Sequence, residues 1–567
     1  MQKTTLAILA ACAALACAKA SPPPASVRAS AASDGVHVSW DAAPGAAAYR
    51  VQLVDLDSGA PLSPQLIVSG TSATLAGAFS RAAGVQVDAM PGQRAFGFVS
   101  AGAGDGSAWQ IFGPQEFHGG VFRTRFAQLG AGERLGVLLV NSGGSDGAQA
   151  AVEVDGVDSV SAAATRPAAA LVEAPPPSLH DAVRAAQQFD ARPAAEAEPL
   201  LQRRSFCVVP GLDFSQHLRK PATLAQSTAH AEFYLDDEDL SHYDSAFVPA
   251  LAQSFEERVW PAITSAFGAP TDVDQNGKVL VLLSHELGAH INGGWLIGYF
   301  GNADLLRARD DSSDCSSGGS NHGEIVFLND VQNGTANGWS VQDLQSTIYP
   351  ETLAHEIQHM LNLGRRCVER SCDGPEATWI NEALSKVAED LAGYGWNAAA
   401  GRAQGADYLT LAAGDLRGYD GRSLTKWEAD PIGNYQGAHS FLRMFVDRFG
   451  DSFAGRVAAD DGGVPGLEAM LQRPLPRAMA EWATALLLSN ESGAPYGFSG
   501  ASWSPLHERL RHLQTRAPGP LTLRADGIAA VLSGAGHDGP AEVIVRSNED
   551  VPPHVVVVRA NASLPRN

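Results

Sequence analysis

The sequence predicts a multidomain chain: all-β sandwich modules at the N-terminus, a larger α+β domain in the middle and a small β-rich domain at the end. Three observations carry this. At 567 residues the chain is too long for one hydrophobic core. Residues 25 to about 105 alternate apolar and polar side chains in short runs between turn residues, as in Val36-His37-Val38-Ser39-Trp40 and Tyr49-Arg50-Val51-Gln52-Leu53, the period of half-buried strands. From about 206 the pattern mixes helical spacing with continuous apolar strands, and after about 490 β alternation returns.

Composition narrows the partners. There are 40 lysines and arginines against 62 aspartates and glutamates, a formal charge of −22. Such a surface repels phosphate backbones and anionic headgroups, and no basic run opposes it. Nucleic acid is therefore not expected as a partner, and a monomer is. The 58 glycines and 33 prolines show no three-residue period, which excludes collagen.

Residues 1–20 read as a signal peptide: Lys3, an apolar stretch from Leu6 to Ala16, then small residues before Ser21. The apolar stretch is too short to span a bilayer. Leu9-Ala10-Ala11-Cys12 and Ala14-Leu15-Ala16-Cys17 resemble a bacterial lipobox, so a lipid anchor at Cys17 stands beside simple cleavage after Ala20. Either way the protein is expected to be exported, secreted or held at the cell envelope. Four further cysteines in an exported chain suggest two disulfides. Cys367 with Cys372 closes a short loop and leaves Cys207 with Cys315; a cysteine zinc site is the rival, and Cys-x4-Cys is a poor match to it.

Residues 21–105 form the first sandwich, and the spacing of Trp40 and Tyr49 around Asp41-Ala-Ala-Pro-Gly45 resembles a fibronectin type III module. Residues 106–160 read as a second β-rich module. Within it Gly143-Gly-Ser-Asp-Gly147 matches the nucleophile-elbow pattern of serine hydrolases, but it lies in a turn between strands and not between a strand and a helix. Residues 161–205, rich in alanine and proline, read as a linker. Residues 206–490 are the α+β domain, with a helix through Phe247, Leu251, Phe255 and Val259 and a buried strand at Val279–Leu283. Asp272-Val-Asp274-Gln-Asn276-Gly277 before that strand is similar to half of a calcium loop, yet the twelfth position is Leu283 and not a glutamate. A polar turn is the reading adopted, with Ca2+ a secondary one. Residues 491–567 are the C-terminal β-rich domain.

The segment Pro350-Glu-Thr-Leu-Ala-His355-Glu356-Ile-Gln-His359-Met-Leu-Asn-Leu-Gly364 carries the chemistry. Pro350 suits a first helical position and Gly364 a C-terminal cap. Leu353, Ile357, Met360 and Leu361 make the buried stripe, while His355 and His359, one turn apart, project together from another face. Two such imidazoles can grip one zinc ion, with Glu356 within reach of its water. His285-Glu-Leu-Gly-Ala-His290 spaces its histidines five apart, so they diverge on a helix and are rejected as a pair. A third ligand is sought downstream, where Trp379, Ala383, Val387 and Leu391 mark another helical stripe and Glu382 lies off it.

With Asn381-Glu382-Ala383 following His355-Glu-Ile-Gln-His359, the sequence resembles the gluzincin metallopeptidases, and within them the hyicolysin-type secreted peptidases over roughly 206–490. The resemblance implies a zincin-like domain and Zn2+ held by His355, His359 and Glu382. It implies Glu356 as general base and a protein or peptide as substrate. In thermolysin an aspartate four residues beyond the glutamate ligand orients a zinc histidine. Here that place holds Lys386, and Glu389 is the substitute considered, beside a surface acid. Gluzincins commonly donate to the oxyanion from a later helix, for which Tyr435 and then His439 are the candidates, beside a core role for the aromatic. Strand 323–329 is the expected docking edge for a substrate backbone. An endopeptidase is the first reading. The alternatives are a zinc aminopeptidase and an adhesin with a relic site.

Overall fold

A computed structural model describes residues 25–158, 202–394, 423–488 and 515–560, less short stretches at 33–34, 43–47, 56–62, 64–65, 76–82, 91–92, 101–108, 142–145, 211–215, 289–295, 308, 317–318, 371–375, 427–430 and 461. The signal-like segment, the lipobox cysteines and nearly all of the 161–205 linker fall outside them. Two compact units divide the chain, residues 1–107 and 108–567.

In the first unit seven strands, β1 (Ala25–Ala32), β2 (Gly35–Asp41), β3 (Ala48–Asp55), β4 (Leu66–Val68), β5 (Ser72–Leu75), β6 (Ala83–Met90) and β7 (Gln93–Ser100), run in the order β4-β3-β6-β7-β1-β2-β5. The alternation read from the sequence is the burial pattern: Val36, Val38 and Trp40 point inward and meet Val51, Leu53, Val85 and Val87. Trp40 and Tyr49 pack edge to face at 5.2 Å, the geometry that opposes a ring's positive edge to another's negative face.

The second unit opens with β8 (Trp109–Phe112), β9 (Val121–Leu129), β10 (Arg134–Val140) and β11 (Ala148–Asp155). Next comes a six-stranded sheet of β12 (Arg203–Val208), β13 (Leu218–Ser227), β14 (Ala231–Asp236), β15 (Val279–Ser284), β16 (Gly298–Phe300) and β17 (Ile325–Asn329), in the order β12-β13-β14-β15-β17-β16. β14, β15 and β17 are parallel and the rest antiparallel. β15 is a continuous apolar run because both faces are covered: Val279, Val281 and Leu283 join the helical core, while Leu280 and Leu282 join Phe206, Val208, Tyr234 and Phe327 on the other side.

Among the described residues, the helices of eight or more residues are α1 (Phe247–Ser254), α2 (Trp260–Phe267), α3 (Tyr349–Leu363), α4 (Thr378–Leu391), α5 (Pro431–Phe449), α6 (Ser452–Ala459), α7 (Gly463–Leu471) and α8 (Leu475–Leu488). No helix of the described residues is long and apolar enough to cross a membrane. α1 and α2 are joined by a π turn at Phe255–Val259, and another at Leu344–Ile348 precedes α3. Each ends two residues before a proline, Pro261 or Pro350. A proline ring clashes with the carbonyl four residues back, and the wider π turn relieves that crowding. At its other end α3 departs from the expected cap: Gly364 keeps a right-handed conformation (φ −54°) and leads into a further π turn, Gly364–Val368. The glycine is there for space, since a Cβ would stand 3.0 Å from Thr271 Cγ2.

After α8 come β18 (Thr515–Arg516), β19 (Pro520–Leu523), β20 (Ile528–Leu532), β21 (Gly539–Ser547) and β22 (His554–Ala560). They do not form a domain of their own. β10 lies between β20 and β22, and β11 between β19 and β21, so the regions expected as separate modules at 106–160 and 491–567 are one two-sheet sandwich. Alternation fixes strands but says nothing of partners hundreds of residues away. Val137 and Leu139 of β10 face the second sheet, whereas Leu138 and Val140 join the large core that includes α8.

Cys207 is disulfide-bonded to Cys315. Cys367 is also disulfide-bonded, and Cys372 lies outside the described residues. Beside the first bridge, Asn321 receives the Cys207 N–H at 2.7 Å and donates to the Cys207 carbonyl at 3.0 Å, while Asp304 Oδ1 accepts from the Asn321 backbone at 2.6 Å. Burial pushes Asp304 up to about 7 against the lowering effect of the Asn321 bonds. The folded state thus holds a proton that the unfolded chain releases near pH 4. The stability this contributes is present at acid pH and is lost as pH rises through 7. Asp304→Asn, isosteric with the protonated form, is expected to gain on the parent by about 3 kcal/mol between pH 5 and pH 8, at about 1.4 kcal/mol per unit. Urea unfolding at the two pH values measures it.

Candidate metal centre

α3 and α4 pack against each other, and α4 packs in turn on α5. The stripes behave as read: Leu353, Ile357, Met360 and Leu361 on α3, and Trp379, Ala383 and Val387 on α4, are buried in the shared core. This turns the polar faces toward one another. His355 Nε2 lies 3.3 Å and His359 Nε2 3.5 Å from Glu382 Oε2, and donor atoms of all three residues fall within 4.8 Å. Glu382 is 1% exposed, so it is not a surface acid. Its position is braced where α3 ends and α4 begins: Asn362 donates to Asn381 at 2.8 Å and to Glu376, which Arg366 also holds.

Glu389 Oε1 meets His355 Nδ1 at 2.7 Å. Its other oxygen is bonded to Lys386 Nζ, and Lys386 lies 3.8 Å from the half-buried Glu351. Burial by itself would raise Glu389; the Lys386 charge and the His355 contact outweigh it and hold the carboxyl down at about 2. Burial lowers His355, but Glu382 and Glu389 carry it up to about 10. The lysine that breaks the thermolysin pattern is the cation that keeps its neighbour's carboxylate charged.

Glu356 is buried next to the cluster, and its Oε2 accepts the backbone N–H of Phe300 at 2.9 Å. Burial pushes its carboxyl up, while the two imidazoles oppose this. Phe300 belongs to β16, one of the two edge strands of the sheet. This corrects the docking edge expected at 323–329: Ile325–Asn329 is β17, hydrogen-bonded on both sides to β15 and β16, and has no edge to offer.

The two oxyanion candidates part company. Tyr435, half-buried near the start of α5, has its ring 6.4 Å from that of His355. His439 is fully buried one turn further in, with Nε2 2.7 Å from Asp390 Oδ2 between α4 and α5. That nitrogen is engaged with the helix interface.

The calcium-like loop is a turn into β15. Asp272 Oδ1 accepts the Gly277 N–H at 3.0 Å, and Asp274 Oδ2 accepts from Asn276 at 2.8 Å. Glu324 comes close to both aspartates and is itself bonded by Thr271 and Val273. His290 lies outside the described residues. Sequence reasoning missed the Phe300 backbone contact, which no side-chain pattern encodes, and the Glu351–Lys386 pair, of which only the departure at Lys386 was visible.

Comparison with known proteins fits this geometry. Over 284 residues the chain is 25% identical to a neutral metalloprotease, ShpI, of Staphylococcus hyicus. The chain is a distant relative of a metalloprotease. The match takes in 47% of this chain and spans 60% of the relative's length. No family model matches the sequence.

Proposed function

We propose that the protein is an exported zinc-dependent endopeptidase of the gluzincin type. The observation that carries the reading is the convergence of two imidazoles and one carboxylate from two helices, with Glu356 at their side. Separations of 3.3 and 3.5 Å fit two donors of a four-coordinate zinc, which stand about 3.3 Å apart when each is 2.0–2.1 Å from the ion. The set of two histidines and one glutamate is that of hydrolytic zinc sites. When bound, zinc would supply a Lewis acid for the scissile carbonyl and lower the pKa of its water.

The chain's own residues would do the rest. Glu356, anchored at Oε2 by Phe300, presents Oε1 to take a proton from the attacking water and return it to the leaving amine. Glu389 accepts from His355 Nδ1 and so fixes the ring with Nε2 toward Glu382. Tyr435, its ring 6.4 Å from that of His355, would donate to the developing oxyanion. Export is supported by the signal-like start and by the disulfides, and the strand order of the first unit supports a fibronectin type III module there.

The test is a casein assay on zinc-loaded protein, before and after chelation, alongside unblocked amino-terminal amide substrates. Chelator-sensitive casein cleavage with little action on the amides is expected. Preference for the amides identifies an aminopeptidase, and no cleavage of either removes the reading. Glu389→Gln is expected to weaken zinc binding about 10–100-fold, measured by competition with a chromophoric chelator.

A further inference from the structure

A second group of imidazoles and carboxylates gathers beyond the C-terminal ends of three adjacent parallel strands. Asp236 ends β14, Asp239 and His242 lie in the turn after it, His285 follows β15 and Asp330 follows β17. Parallel strands deliver their following loops to one edge, which is where ligands bind in such sheets. None of these residues belongs to the His355–His359–Glu382 cluster.

His242 Nδ1 lies 3.0 Å from Asp330 Oδ2 and 3.6 Å from Asp239 Oδ1, spacings that bracket the roughly 3.3 Å expected between zinc ligands. Asp239 Oδ1 is also 2.7 Å from His285 Nδ1, yet that nitrogen forms no hydrogen bond. Asp239 Oδ2 accepts the His285 backbone N–H at 2.8 Å, which anchors this carboxylate beside both imidazoles. Asp236 and Asp330 are 0% and Asp239 1% exposed. Lys220, 3.6 Å from Asp236, is shared with Glu238 and Glu286, and neither Asp239 nor Asp330 pairs with a lysine or arginine among the described residues. Asp330 Oδ2 accepts the Gln332 N–H at 2.9 Å and the Tyr243 hydroxyl interacts with the same carboxylate, while Asp330 Oδ1 is buried without a hydrogen bond. These hydrogen bonds do not neutralise the carboxylates of Asp239 and Asp330, buried charge without a full counterion is costly, and a divalent cation would supply that charge.

We propose that Asp239, His242 and Asp330, whose donor atoms fall within 4.8 Å of one another, form a second site for a divalent cation of the zinc class, with His285 beside Asp239. One imidazole with two carboxylates suits zinc, cobalt or manganese, whereas calcium takes oxygen ligands alone. The ion would tie together the loops that follow β14 and β17.

The full chain is stripped with chelator, equilibrated with zinc, desalted and analysed for metal. Two zinc ions per chain are expected, falling to one in His242→Ala/His285→Ala and to one in His355→Ala/His359→Ala. Added zinc should still raise the Tm of His355→Ala/His359→Ala by several degrees, and the shift should vanish when all four histidines are replaced. One zinc in the parent together with none in His355→Ala/His359→Ala overturns the proposal and leaves the peptidase reading intact. One zinc in the parent that survives His355→Ala/His359→Ala overturns the peptidase site instead. Should His242→Ala/His285→Ala fail to fold, the parent's count and the Tm shift decide.

Discussion

Glu356→Gln is expected to retain zinc and to lower kcat/KM on protein substrates by about 10²–10⁴-fold. The amide is close to isosteric, and its carbonyl oxygen can still accept the Phe300 N–H that Glu356 Oε2 takes at 2.9 Å, so the helix and the three donors keep their places. What disappears is the ability to carry a proton. Metal analysis beside a cleavage assay separates the two effects. Normal zinc with normal cleavage removes Glu356 from the chemistry, and lost zinc makes it a structural residue.

The second large effect concerns stability. Cys207 and Cys315 are 108 residues apart, and a cross-link over a loop of that size restricts the unfolded chain by about 4.7 kcal/mol in the entropic account. Cys207→Ala/Cys315→Ala is expected to lose on the order of that amount in urea unfolding. The closed loop takes in β13 to β16 with α1 and α2, but none of α3 or α4, which bear the cluster. Cleavage at 25 °C should therefore persist in the double variant below its unfolding transition. A loss under about 1 kcal/mol would mean that the surrounding Asn321 and Asp304 bonds, not the bridge, hold this corner.

Legibility followed the range of the interactions. The α3 and α4 stripes are local patterns of period 3.6, and they anticipate the faces from which His355, His359 and Glu382 project, because a helix fixes which side chains share a face. Glu389, seven residues beyond Glu382, was within reach for the same reason. What stayed hidden depends on pairings between distant segments. β16 became an edge strand through its register with β17, and β10 found its neighbours about 400 residues downstream. His285 was set aside in the sequence because on a helix it diverges from His290; the structure places it just after β15, beside Asp239, a relation that periodicity does not contain. Gly364 looked like a cap because glycine usually is one there, whereas close approach to Thr271 is its reason here.

The interleaving of β8–β11 with β18–β22 constrains any maturation of the chain. A processing protease that severs the backbone somewhere in 161–200 would produce two polypeptides but no free propeptide, because each remains laced to the other through the ladders β10–β20, β10–β22 and β11–β21. Such a nicked species should migrate as two bands on a denaturing gel and as a single particle in gel filtration.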